Sequence, residues 1–369
     1  MKSIEVVSIF VAVTMSILID GYDCKVVKFL FGDSITDVGN NMYLTGSIAR
    51  PNLPWYGIDL GNGWPNGRFT NGRTVADILG DMNGFPMPPA YLDPSVTEDI
   101  ILEKGVNYAS AGGGILNETG LHFVQRLPFY MQIELFQETQ NRIRAKLGNK
   151  EAGIFFQEAL YGVALGSNDL INNYFIPIYK NSLMYNDETF TIHLIDTLRE
   201  QLKRLHSLGA RQIFLIGLGP LGCIPLQRNL NLNVSGDCQE RTNKMALSFN
   251  KEASELATEL STYLPDSSIL YGDTYDLADD LMKNPIKYGF TSSSSPCCSK
   301  GKLSPFLRCI PSSSLCKNRS NYVFFDKFHP SDSANEWMAS EINKKLGFLQ
   351  LVSASPAPLP SITPSPDQE

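Results

Sequence analysis

An α/β fold built on a parallel sheet is predicted from three features of the 369-residue sequence. Short apolar runs recur along the chain, each finishing at a glycine or at a small residue followed by a polar one, as buried parallel strands do. Between them lie longer stretches whose apolar residues recur at the helical period, and such alternation builds βαβ units with helices on both faces of the sheet. No internal repeat and no mid-chain linker breaks the pattern, so residues 25–350 read as one domain.

The elements follow in order. Residues 1–24 are expected to be a signal peptide rather than part of the fold. Lys2 supplies a positive start, and Ile4 to Ile19 is apolar apart from Glu5, Ser8, Thr14 and Ser16. That run is shorter than the ~20 residues of a spanning helix, so no transmembrane anchor is expected. Val26 to Phe31 is the first strand and ends in Gly32-Asp33. Val106 to Ala109 is the second. Ala159 to Leu165 ends at Gly166, Gln212 to Ile216 ends in Gly217-Leu-Gly, and Ser268 to Tyr271 ends in Gly272-Asp273. Helices are expected over Phe129 to Leu147 with Gly148 as the stop, Thr191 to Leu208 before Gly209, Met245 to Leu264 before Pro265, and Ser331 to Leu346 before Gly347. Residues 351–369 hold five prolines and are expected to be a disordered Pro/Ser-rich tail.

Composition narrows the chemistry only slightly. The formal net charge is −7, and loss of Lys2, Glu5, Asp20 and Asp23 with the leader makes it −5. That balance argues against a nucleic-acid partner, which needs a net basic surface. Seven cysteines become six if Cys24 leaves with the leader: Cys223, Cys238, Cys297, Cys298, Cys309 and Cys316. An even number in an exported chain points to disulfides, with all fifteen pairings open. A zinc site is disfavoured because the spacing is unusual and the 297–316 stretch contains no histidine. Sequons at Asn117, Asn233 and Asn318 fit a secreted, extracellular, N-glycosylated protein.

A parallel sheet places its site at the carboxyl ends of the strands. There the sequence carries Gly32-Asp33-Ser34, Asn107 to Gly114, Gly166-Ser-Asn168-Asp169 and, near the C terminus, Asp326-Lys-Phe-His329-Pro330. Serine is a poor nucleophile without a base to take its proton, and His329 is the candidate base for Ser34. Asp326, three residues earlier, can reach the other imidazole nitrogen and fix its tautomer. Pro330 suits the first position of a helix. Gly112 and Asn168, with the Ser34 N–H, are candidate donors to a tetrahedral oxyanion. Of the four histidines, His122, His193 and His206 read as surface or structural residues. Trp55, Tyr56, Trp64 and Phe69 fit either an acyl pocket or a small satellite core. The glycines at 112–114 do not lead into a nucleotide-binding helix, and no Gly-x-Ser-x-Gly elbow is present.

Taken together, these blocks resemble the plant GDSL esterase/lipase family of the SGNH-hydrolase superfamily. Phe31 to Asn41 is similar to the family's first block, Asn107 to Gly112 to its second, Gly166 to Asp169 to its third and Asp326 to Pro330 to its fifth. Gly67 to Arg73, Gly217 to Pro225, the Cys297-Cys298 pair and Tyr322 to Asp326 also resemble it, and the likeness spans about residues 26 to 348. The stretch after Cys298 departs from the family pattern. The resemblance implies a three-layer α/β/α sandwich with a five-stranded parallel sheet of flavodoxin-like type. It also implies a serine esterase/lipase acting on acyl esters of small molecules or lipids, without a metal or organic cofactor. By position it implies Ser34 as nucleophile, His329 as base, Asp326 as its partner, and Gly112 and Asn168 in the oxyanion hole. Acyl transfer through the same acyl-enzyme and a non-catalytic binding role on this fold are the alternatives.

Overall fold

The computed structural model describes residues 27–61, 65–230, 236–299 and 309–346. The expected signal peptide, the expected C-terminal tail, Trp64 and Asn233 therefore lie outside the described residues. Five parallel strands form one sheet: β1 (Lys28–Gly32), β2 (Gly105–Asn107), β3 (Leu160–Ala164), β4 (Gln212–Ile216) and β5 (Ser268–Gly272), in the order β2-β1-β3-β4-β5. This is the doubly wound order whose reversal falls beside β1. Lys28 pairs with Leu160 and Gly32 with Ala164, so the carboxyl ends of β1 and β3 finish level. Every residue of β1 is buried, as a central parallel strand requires.

Alternation along the strands sorts side chains between two layers. Phe29, Phe31 and Tyr161 face the first layer, where Phe29 packs 5.2 Å from Phe136 and 5.7 Å from Phe156 between ring centres. Helix α2 (Phe129–Leu147) and helix α3 (Asn149–Glu158) supply those partners. Two long helices, α4 (Asp187–Ser207) and α5 (Glu240–Tyr263), extend the same core with Leu194, Leu198, Leu202, Phe249 and Leu256. The second layer holds α1 (Val75–Met82), α6 (Tyr275–Lys283) and α7 (Asp332–Leu346). Ile78 and Leu79 of α1 meet Ala339 and Ile342 of α7 there.

Helix boundaries follow local chemistry. α2 spans the predicted residues, and Gly148 ends it at φ +87°. α4 begins earlier than the apolar period indicates, because Asn186 accepts from the Thr189 N–H and the Thr189 side chain answers the Asn186 backbone. α7 begins at Asp332, not at Pro330. Pro330 instead pairs with Phe324 in an isolated bridge, and the Ser331 hydroxyl accepts from the Ala334 N–H to cap the helix. The second strand is shorter than predicted. The Asn107 side chain accepts from the Ala109 N–H at 2.9 Å and donates to the Thr36 carbonyl at 2.8 Å, which turns the chain.

Six cysteines pair as Cys223–Cys238, Cys297–Cys316 and Cys298–Cys309. The last two pin a loop whose core is Tyr56, Phe69, Ala111 and Phe325. Tyr56 and Phe69 thus belong to a satellite core. Asn117 and Asn318 are exposed. Among the described residues, no helix is long and apolar enough to cross a membrane, and no group of three His, Cys, Asp or Glu side chains is placed to hold a metal. Replacing both Cys297 and Cys316 by serine is expected to lower the unfolding free energy by ~3 kcal/mol, measured by denaturant titration. A midpoint equal to that of the unchanged protein would contradict a structural role for this bridge.

Candidate active site

Ser34 sits on a tight turn just beyond β1. The Asp33 carbonyl accepts from the Thr36 and Asp37 N–H groups at 3.1 and 2.9 Å, and the Asp33 carboxylate accepts from the Ile35 N–H at 3.0 Å. Gln132 of α2 clamps the strand end: its amide accepts from the Gly32 N–H at 2.9 Å and donates to the Gly32 carbonyl at 2.8 Å. The Ser34 side chain is left half-buried at the sheet's edge.

His329 arrives from the other end of the chain. Its Nε2 lies 2.8 Å from Ser34 Oγ. Its Nδ1 lies 2.8 and 2.9 Å from the two Asp326 oxygens. With Nδ1–H donating to the carboxylate, Nε2 is the acceptor for the serine hydroxyl. Asp326 is itself held by the Phe328 and His329 N–H groups, each at 2.8 Å, and by the Tyr56 hydroxyl at 2.7 Å. The Phe69 ring packs 5.2 Å from the imidazole. Such a run can pass a proton from a hydroxyl to an imidazole while the carboxylate steadies the charge that forms.

The 107–114 stretch is tied to the first turn by side chains. Asp37 accepts from the Gly39 and Asn40 N–H groups at 2.8 Å and from the Ala111 N–H at 3.2 Å. Asn40 donates to the Asn107 and Ala109 carbonyls, and Asn41 to the Ala111 carbonyl at 3.0 Å. Gly112 has φ +79°, and a Cβ there would stand 2.4 Å from the Phe123 ring, so only glycine fits. Among the described residues, the N–H groups of Ser34 and Gly112 donate to no protein acceptor, whereas the Gly113 N–H is taken by the Ser110 carbonyl.

Asn168 follows β3. Its amide donates to the Gly113 carbonyl at 2.9 Å and, at a weaker 3.3 Å, to Asp33. Its oxygen accepts from Asn172 at 2.6 Å. Asp169 beside it holds the Ile115 and Leu116 N–H groups and the Thr119 hydroxyl. The structure therefore gathers Ser34, Asp326 and His329 into one bonded unit, with Gly112 and Asn168 flanking the turn. The other histidines stand elsewhere: His122 contacts the Tyr179 hydroxyl, His193 stacks on Tyr185, and His206 meets the Pro265 carbonyl. Sequence reasoning missed Tyr56 and Gln132 as supports, because each reaches its partner from a distant stretch. The Asp37, Asn40 and Asn41 run was visible beside Ser34, but its task was not.

The family model described as GDSL-like Lipase/Acylhydrolase matches residues 29–342. The chain is 57% identical over 352 residues to the Arabidopsis thaliana protein GDSL esterase/lipase At1g74460, covering 95% of this chain and 96% of that one. It is 44% identical over 336 residues to GDSL esterase/lipase At5g37690 of the same plant, covering 91% and 92%. Among solved structures, the lipase Lip_vut3 from a goat rumen metagenome is similar at 13% identity and a TM-score of 0.39, covering 88% of this chain and 98% of that one.

Buried carboxyls give the site a pH signature. Burial pushes Asp33 and Asp169 up to about 6 and Asp37 up to about 7, from an ordinary 3.8, against the opposing pull of the N–H groups they accept. For Asp326, burial also pushes upward, but the His329 charge and the bonds from His329, Phe328 and Tyr56 carry it below the ordinary value. An acid raised in the folded state contributes stability that is full below its unfolded pKa and is lost as pH rises through the folded one. His122, lowered by burial and Arg126, acts in the opposite direction. Between pH 5 and 7.5 these three carboxyls outweigh His122, and Lys28, lowered by burial to about 8, acts only at the upper end, so the fold is expected to be more stable at pH 5 than at pH 7.5, by ~2 °C or more in Tm. Thermal melts at the two values check this, and a higher Tm at pH 7.5 would contradict it.

Proposed function

This chain belongs to the GDSL-like lipase/acylhydrolase family and is a carboxylic-ester hydrolase; on that premise we propose that it is a secreted serine esterase working through Ser34, His329, Asp326 and an acyl-enzyme. The observation that carries the reading is the unbroken hydrogen-bonded run from Ser34 Oγ through both imidazole nitrogens to Asp326. His329 Nε2 takes the Ser34 proton as Oγ bonds to the ester carbonyl carbon. The oxyanion lies among the N–H groups of Ser34 and Gly112 and the Asn168 amide. One Asn168 amide hydrogen anchors the group on the Gly113 carbonyl, and the other, only weakly held by Asp33, is shared with the oxyanion. His329 then gives its proton to the departing alcohol oxygen. Water, deprotonated by the same nitrogen, attacks the Ser34 ester carbonyl; as the C–Oγ bond breaks, His329 returns that proton to Ser34 Oγ and the acid leaves. Asp326 stays ionised throughout, which fits its lowered pKa.

Export is supported by the leader-like start and by three disulfides, which persist in oxidising compartments. The exposed sequons at Asn117 and Asn318 fit the same setting.

Steady-state hydrolysis of a p-nitrophenyl ester tests the assignment. Ser34→Ala is expected to lower kcat at least ~1,000-fold, and Asn168→Ala ~100-fold or more. A Ser34→Ala protein that kept a substantial share of the activity would overturn the mechanism. Tyr56→Phe removes a bond behind Asp326 and is expected to cost ~1 kcal/mol of stability with a smaller loss of kcat. Unchanged stability and kcat would remove Tyr56 from the support of the site.

A further inference from the structure

The second face of the sheet does not pack tightly against its helices. Leu160, Gly162, Phe214 and Ile216 are only half-buried, although they point into the protein. Between them and α1, α6 and α7 lies a cavity of about 300 Å³, lined on the helix side by Leu79, Met282 and Met338. That volume is at the small end of ligand sites, roughly 300–1,000 Å³. The cavity runs from Lys28 at the start of β1 to Asp33 and Ile35 just past its end. At a rise of ~3.3 Å per residue this is a path of ~16 Å. Ser34 and His329 do not line it, although their neighbours Asp33, Ile35, Phe328 and Pro330 do, so it adjoins the reacting groups without containing them.

Lys28 makes this cavity unusual. It is only 7% exposed, and its Nζ has no hydrogen-bond partner among the described residues. The ammonium rests 5.5 Å from the centre of the Phe85 ring and against Gly80, where a Cβ would come within 2.5 Å of it. The nearby carboxylates Asp77 and Asp81 attract it through space, but neither bonds to it. Asp77 is committed to Arg68 through bonds of 2.6 and 2.9 Å, and Asp81 is exposed. Burying a charge without a bonded partner is costly, and burial lowers the Lys28 pKa to about 8 against the pull of Asp77 and Asp81, which leaves it cationic at neutral pH. An apolar channel with a buried cation that lacks a hydrogen-bond partner at one end complements a single-chain anion. Asp33 at the opposite end disfavours the reverse orientation.

We propose that this cavity binds a free fatty acid, its carboxylate paired with Lys28 and its chain lying along the second face of the sheet toward β1's carboxyl end. The site is distinct from the ester-cleaving groups, and binding there does not depend on the catalytic reading.

The test is calorimetric titration of delipidated protein at pH 7 with laurate and with 1-dodecanol. Laurate is expected to bind the unchanged protein. Lys28→Met is expected to weaken laurate ~tenfold or more, as loss of a charge-assisted bond does, while leaving 1-dodecanol unaffected. Ala278→Trp, which fills the cavity from α6 without touching Lys28, is expected to abolish binding of both. Lys28→Gln replaces Lys28→Met if the latter melts early. Hydrolysis of p-nitrophenyl acetate by the Lys28 variant should be unchanged, which separates this cavity from Ser34. Failure of the unchanged protein to bind laurate would overturn the proposal. So would equal laurate affinity in the Lys28 variant, or laurate binding that survives Ala278→Trp. If hydrolysis is absent while laurate still discriminates Lys28, the catalytic reading fails and the fatty-acid site stands.

Discussion

Ser34 and His329 stand 295 positions apart in the chain and meet over one hydrogen bond of 2.8 Å. A contact of that length tolerates little error, so both ends of the chain must be fixed against the same sheet edge. On the serine side, Gln132 grips both polar atoms of Gly32, and Asp37 gathers the N–H groups that follow. On the histidine side, Asp326 binds two backbone N–H groups of its own turn besides the imidazole. The 68–77 stretch then laces the two sides together. Arg73 holds Asp332 at 2.9 Å, Thr70 donates to the Pro330 carbonyl at 2.9 Å, and Asn335 donates to the Arg73 carbonyl at 2.8 Å.

The site is surrounded by buried polar groups rather than by a purely apolar wall. Asn40, Asn41, Asn107 and Asp169 are fully buried, and each is bonded to backbone of a different segment. Satisfied groups of this kind specify one arrangement, since any slip would leave a donor or acceptor dry. Behind them, the disulfide-pinned loop supplies the satellite core that carries Tyr56 to Asp326. The two bridges therefore act on the site at one remove, through the position of a single phenol. The second face of the sheet is built differently: it is loosely filled, and the Lys28 ammonium buried in it has no hydrogen-bond partner among the described residues.

Much of the fold was legible because its signals are local. Each strand's apolar run and each long helix's period occupy neighbouring residues, and the five strands and four long helices fall where those patterns lie. Errors came at helix starts: α4 begins where the Asn186 side chain caps it rather than where the apolar period begins, and α5 runs five residues ahead of Met245, to Glu240, without a side-chain cap. Short helices such as Val75–Met82 escaped because their apolar stripe is brief and their packing partner, α7, is far along the chain. Ser34, Asp326 and His329 were legible from strand-end chemistry and motif resemblance. Tyr56 was visible only as an aromatic residue, since nothing near it in sequence betrays a bond to a residue 270 positions away.

The central claim is that Ser34 is a nucleophile because His329, steadied by Asp326, takes its proton. Peptide mapping by mass spectrometry after treatment with a fluorophosphonate tests this on the folded protein. The account predicts one adduct, on the peptide that contains Ser34, absent after heat unfolding and strongly reduced in His329→Ala. A folded protein that gains no adduct at Ser34, or gains it equally without His329, would contradict the account.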